Sequence, residues 1–99
     1  MRTLFAVMRT RGRAWDSSKS LREQQQWDEH ALFMEKLAAQ RFVLLGGLLG
    51  DGRDVLLVID AASENEVASR LSEDPWSKSG LLEIKSVQTW NVLLEAGEK

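Results

Sequence analysis

The chain has 99 residues, 43% of them apolar and 28% charged, a balance that fits one small globular domain and excludes wholesale disorder. Thirteen Lys and Arg against fifteen Asp and Glu leave a net charge of −2, without the basic excess of a nucleic-acid binder. Cysteine is absent, which removes disulfides, thiolate chemistry and cysteine-held metal sites.

The elements follow in chain order. Arg2 to Arg9 has the pattern of a strand. Its apolar run is too short for a membrane span and lacks a signal-peptide cleavage pattern, so a cytoplasmic protein with no membrane partner is expected. Gly12 to Lys19 is a polar loop carrying Trp15. Ser20-Leu21-Arg22-Glu23 fits a capping box, and Trp27, Ala31, Met34 and Ala38 recur at helical spacing, which predicts one long helix ending near Gln40. Phe42 to Leu49 is a nearly continuous apolar strand. Gly50-Asp51-Gly52 turns it into a returning strand from Asp54 to Ile59. Ser63-Glu64-Asn65-Glu66 opens a second helix with Val67, Ala68 and Leu71 inward. Asp74-Pro75-Trp76 stops it, Ser77 to Gly80 is expected to be a connector, and Leu81 to Leu93 is the last strand. The single domain is placed at residues 1–94, with a polar tail at 95–99.

The order β-α-β-β-α-β predicts an α+β, ferredoxin-like fold: a four-stranded antiparallel sheet with two helices on one face. Strand patterning adds a further expectation. Leu4, Ala6 and Met8 alternate with Phe5 and Val7; Leu44 and Leu48 oppose Val43, Leu45 and Leu49; Leu56 and Val58 oppose Val55, Leu57 and Ile59. Both faces of the sheet are therefore apolar, while two helices cover only one. The open face calls for a partner, and a second copy packed sheet to sheet is the simplest. A ligand-filled groove and a different partner chain are the alternatives.

Histidine chemistry has one candidate, His30. On a helical wheel it falls about 60° from Trp27 and about 40° from Met34, at the edge of the apolar stripe. It is either a hydrogen-bonded structural histidine or a general acid/base, since imidazole titrates near neutrality. A base needs an acceptor on its other ring nitrogen, and Asp74 is the candidate, although Asp before Pro is also ordinary turn and capping chemistry. Trp76 either covers a core edge or faces a ligand. Gly46-Gly47 is no phosphate loop; it marks close backbone approach or the wall of a pocket. Arg9, Arg11 and Arg13 either form a solvated strand end or attract an anionic substrate. Ser86 and Gln88 share a phase with Leu82, Ile84 and Trp90. Glu29, His30 and Glu35 do not form a metal site, and no metal or cofactor is expected.

Taken together, Glu29-His30-Ala31-Leu32-Phe33-Met34, Leu44-Leu45-Gly46-Gly47-Leu48, the Asp51-Gly52 hairpin, Asp74-Pro75-Trp76, Gly80-Leu81-Leu82-Glu83-Ile84 and Val87-Gln88-Thr89-Trp90 follow a familiar order. The sequence resembles the YCII-related (YciI-like) proteins over nearly its whole length. It departs after Gly46-Gly47, where many members carry proline and this chain has Leu48-Leu49. The resemblance implies a homodimeric α+β barrel and an active site of the helix histidine and the Asp-Pro aspartate, here His30 and Asp74. The expected function is proton transfer on a small cyclic organic molecule, by elimination or isomerisation. Catalysis is assigned to His30 and Asp74 and substrate binding to Gly46, Gly47, Trp76 and Arg9. The alternative is a non-catalytic dimeric module that binds a small molecule or a protein.

Overall fold

The computed structural model describes residues 2–97; Met1 and the last two residues of the expected polar tail, Glu98 and Lys99, lie outside the described residues. β1 spans Arg2–Arg11, α1 Trp27–Ala39, β2 Val43–Leu49, β3 Asp54–Ile59, α2 Glu64–Leu71, α3 Pro75–Ser79 and β4 Leu82–Val92, with a 3-10 turn at Leu21–Glu23 ahead of α1. The strands form one antiparallel sheet in the order β2-β3-β1-β4, the ferredoxin-like α+β arrangement. No helix among the described residues is long and apolar enough to cross a membrane.

Register decides which side chains meet the helices. Phe5 pairs with Ile59 and Val7 with Leu57, so these four share a face. Leu37 of α1 and Val67 and Leu71 of α2 close over them as the main core. Each such side chain contributes about 1.5–3 kcal/mol on full burial. Leu4, Ala6 and Met8 point the other way, across from Val58, Leu56 and Trp90. On that outer face Leu45 is 70% exposed and Trp90 44%, and no helix covers them among the described residues.

Two bulges correct the expected phases. In β2 the register shifts between Val43 and Leu45, which puts Val43, Gly46 and Leu48 on the helix side and Leu45, Gly47 and Leu49 outside. In β4, Ser86 pairs with Met8 but Ile84 pairs with Arg9, leaving Lys85 as the extra residue. Leu82 and Ile84 are therefore out of phase with Ser86, Gln88 and Trp90. Each bulge adds one residue, and one residue reverses every side chain beyond it.

The helical segments also differ from the expected pattern. The helix foreseen from Ser20 is interrupted. Glu23 does accept from the Ser20 N–H at 2.9 Å, but only a 3-10 turn follows. The Gln24 side chain is buried, accepts from Asp16 N–H and donates to the Asp16 and Lys19 carbonyls, binding the preceding loop. Gln26 then adopts a left-handed conformation, φ 63°, and α1 starts at Trp27. Ser77–Gly80 is not a plain connector, because Asp74 caps a short helix there by accepting from the Trp76 N–H. Pro75 at its first turn suits helix initiation. Behind this helix, a Cβ on Gly12 would stand 2.1 Å from the Gly80 carbonyl oxygen. Only glycine permits the bonds from Gly12 N–H to Leu81 and Ala14 N–H to Gly80 that tie the Trp15 loop to α3.

Candidate active site

Three elements converge where the main core ends. α1 contributes His30, the residue preceding α3 contributes Asp74, and β1 contributes Arg9. The Asp74 carboxylate is fully buried and has three partners. His30 Nδ1 lies 2.9 Å from both of its oxygens. Trp76 N–H donates to Oδ1 and Arg9 Nη1 to Oδ2, each at 2.9 Å. Burial pushes the Asp74 carboxyl up, but the hydrogen bonds from His30 and Trp76, with the charges of a protonated His30 and of Arg9, outweigh it and hold it below the usual carboxylate value. Asp74 thus stays an anion that accepts, and with Nδ1 donating to it the lone pair of a neutral His30 sits on Nε2.

Aromatic packing fixes the imidazole. Trp76, 0% exposed, stacks on His30 with centroids 3.9 Å apart. Trp27 packs against both rings at 5.8 and 5.7 Å, and Trp15 meets Trp76 edge-on. Trp76 is anchored by its indole N–H, which donates to the Gln25 carbonyl at 2.7 Å. The break before α1 makes that bond possible, since a continuous helix would commit the Gln25 carbonyl to the N–H four residues on.

A cavity of about 380 Å³ opens beside this cluster. His30, Arg9, Trp76, Gly46 and Gly47 all line it, whereas Asp74 does not and lies behind the imidazole. Trp15, Leu21, Met34 and Val55 make the wall mostly apolar, a composition suited to a small organic ligand. A Cβ on Gly46 would press on Leu57 Cδ2 at 2.7 Å, so a side chain there requires Leu57 to shift. Among the described residues no three side chains are grouped to hold a metal.

Arg9 requires a correction. It is not part of a solvated strand end; it is 1% exposed. Besides Asp74 it reaches the Ser77 hydroxyl at 2.7 Å, and that hydroxyl donates to the Leu71 carbonyl. The signal was present in the alternation of β1, which puts Arg9 in phase with Phe5 and Val7. Ser77, Gln25, Trp27 and Arg11 complete the surroundings of the site, and sequence spacing gave no pointer to Ser77 or Gln25.

No protein-family model matches the chain, and no curated protein matches it by sequence. Among solved structures, the chain is similar to 5-chloro-2-hydroxyhydroquinone dehydrochlorinase from Burkholderia phenoliruptrix, in its complex with 2,5-dihydroxybenzoquinone. The match has a TM-score of 0.61 and 22% sequence identity over 96% of this chain and 99% of that one. The two chains share a fold along nearly their whole lengths.

Proposed function

We propose that the protein is a cofactor-free proton-transfer enzyme acting on a small cyclic organic substrate, by elimination or isomerisation. One observation carries this reading: a histidine held through Nδ1 by a buried carboxylate, on the wall of an apolar cavity. In an isomerisation His30 Nε2 removes a proton from one substrate atom and returns it to another; in an elimination the electrons left by that proton form the new double bond as the leaving group departs as its anion, and the imidazolium passes the proton to water. Asp74 fixes the tautomer and stabilises the imidazolium, as carboxylates do in catalytic triads. Gly46, Gly47, Trp76 and Arg9 shape the substrate's place. The fold neighbour is named for loss of chloride from a ring and was captured with a quinone, which supports a ring-shaped substrate here.

The experiment is a screen of cyclic ketones, lactones and halogenated hydroquinones in deuterated water, reading isotope exchange and chloride release. Wild-type protein is expected to turn over at least one class, and His30→Gln to lose about 10²–10⁴-fold of that rate. Equal rates for the two proteins would refute the reading.

The reading includes a homodimer formed through the outer sheet face, where Leu45, Leu49 and Trp90 remain exposed. Apolar area of this kind on a small chain gains by self-association. The domain, residues 1–94, is proposed as the subunit.

The non-catalytic module keeps one specific support: Asp74 already caps α3 and neutralises Arg9, roles that need no reaction.

A further inference from the structure

The geometry points to Ser77 as a positioning residue that acts on His30 through Arg9 and Asp74. This role deepens the proton-transfer reading and rests on it only for its effect on rate. Ser77 is not among the residues that line the cavity, so it acts from behind the wall. Its hydroxyl accepts from Arg9 Nη2 at 2.7 Å and donates to the Leu71 carbonyl at 2.8 Å. A hydroxyl carries one proton. The Leu71 carbonyl takes it, so the oxygen meets Arg9 with lone pairs alone. The end of α2 thereby sets the direction of the bond that Ser77 makes to Arg9.

The guanidinium carries that direction onward. It is planar and rigid, so seating Nη2 on Ser77 decides where Nη1 points, which is at Asp74 Oδ2, 2.9 Å away. Trp76 N–H holds the other oxygen, Oδ1, at the same distance. One donor on each oxygen stops the carboxylate from turning about its Cβ–Cγ bond. His30 Nδ1 lies 2.9 Å from both oxygens, an arrangement that a turned carboxylate would lose. The chain of bonds thus runs from the Leu71 carbonyl through Ser77, Arg9 and Asp74 to His30, and it joins α2, α3, β1 and α1. Without the Ser77 hydroxyl, Arg9 Nη2 is a buried donor with no acceptor, a costly state that favours turning the guanidinium. Met34 Sδ, 4.0 Å from Nη1, is a weak acceptor and does not replace the hydroxyl.

His30 is the sole histidine of the chain, so nitrogen-15 NMR of the imidazole reads this residue alone. With the ring neutral, the wild-type spectrum is expected to show Nδ1 protonated and Nε2 bare. Ser77→Ala is expected to move both nitrogen signals toward those of free histidine, where the tautomers mix. It should also lower kcat about tenfold and leave KM unchanged, the mark of lost alignment without lost binding. Ser77→Thr keeps the hydroxyl and should restore both readouts. If Ser77→Ala does not fold, Ser77→Cys replaces it, since sulfur fills the space and accepts only weakly. Imidazole signals unchanged from wild type overturn the inference. So does an equal change in Ser77→Thr, which reduces the effect to packing, and so does a raised KM or an unchanged kcat beside shifted signals. Shifted signals in a protein that turns over nothing refute the proton-transfer reading and leave the link from Ser77 to His30 standing.

Discussion

The His30 imidazole lies flat on the Trp76 indole, with ring centroids 3.9 Å apart and planes 5° from parallel. Because Trp76 is fully buried and bonded to the Gln25 carbonyl, the imidazole has a rigid floor. Trp76→Ala is expected to cost about 3–5 kcal/mol in urea unfolding. Trp76→Phe keeps a ring under His30 but loses the indole bond, and its cost should be clearly smaller. Equal losses would show that the stacked ring contributes nothing.

Asp74 is the junction of the site. Replacing it with Asn leaves Arg9 as a buried cation without its counter-charge, which typically costs about 3–5 kcal/mol. The same variant should lose turnover, because an amide no longer fixes the His30 tautomer. Denaturant midpoints and steady-state rates measured on one preparation check both outcomes.

Acid should separate this carboxylate from the others. Burial raises its pKa, while the His30 and Trp76 hydrogen bonds and the His30 and Arg9 charges lower it further, so the folded value lies below the ordinary 3.8. Unfolded chains then bind the proton first. The contribution of Asp74 to stability is full above about 3.8 and is lost as pH falls through the lower folded value. The stability gap between wild type and Asp74→Asn should therefore be flat from neutral pH down to that range and shrink below it. A gap that widens on acidification would contradict the sign.

His30→Ala distinguishes catalyst from module. Asp74 keeps Arg9 and the Trp76 N–H after this change, so the expected loss is the His30 hydrogen bond to the charged carboxylate, about 1.5–3 kcal/mol, together with the stacked pair, about 0.5–1.5 kcal/mol. Activity should fall by about 10²–10⁴-fold. A large stability loss with unchanged ligand binding would favour the structural role.

Sedimentation at micromolar concentration tests the dimer. A species of about twice the 11.2 kDa chain is expected, and Leu45→Asp on the outer face should return it to a monomer. A wild-type monomer would remove the sheet-to-sheet packing.

Much of this architecture was legible because the signals are local. Ser63 does cap α2 by accepting from Glu66 N–H, and Gly50 and Gly52 take the positive φ that their hairpin needs. The position of His30 at the edge of the apolar stripe followed from helical spacing alone. What escaped depends on distant partners. Nothing in Gln24-Gln25-Gln26 announces a break, since its cause is a buried amide bonded to Asp16 and Lys19. The bulge residue Lys85 carries no marker of its own. The alternation of β1 places Arg9 inward, but the reading of a solvated strand end passed over that signal, and the acceptor lies 65 residues away.

The contact between Gly12 and the Gly80 carbonyl has a consequence for genetics. Gly12 carries no functional atom, yet any side chain there would push the Trp15 loop off the helix that holds Trp76. A saturating mutational scan scored on turnover should flag Gly12 as strongly as His30. The two positions would separate only when protein abundance is scored beside activity.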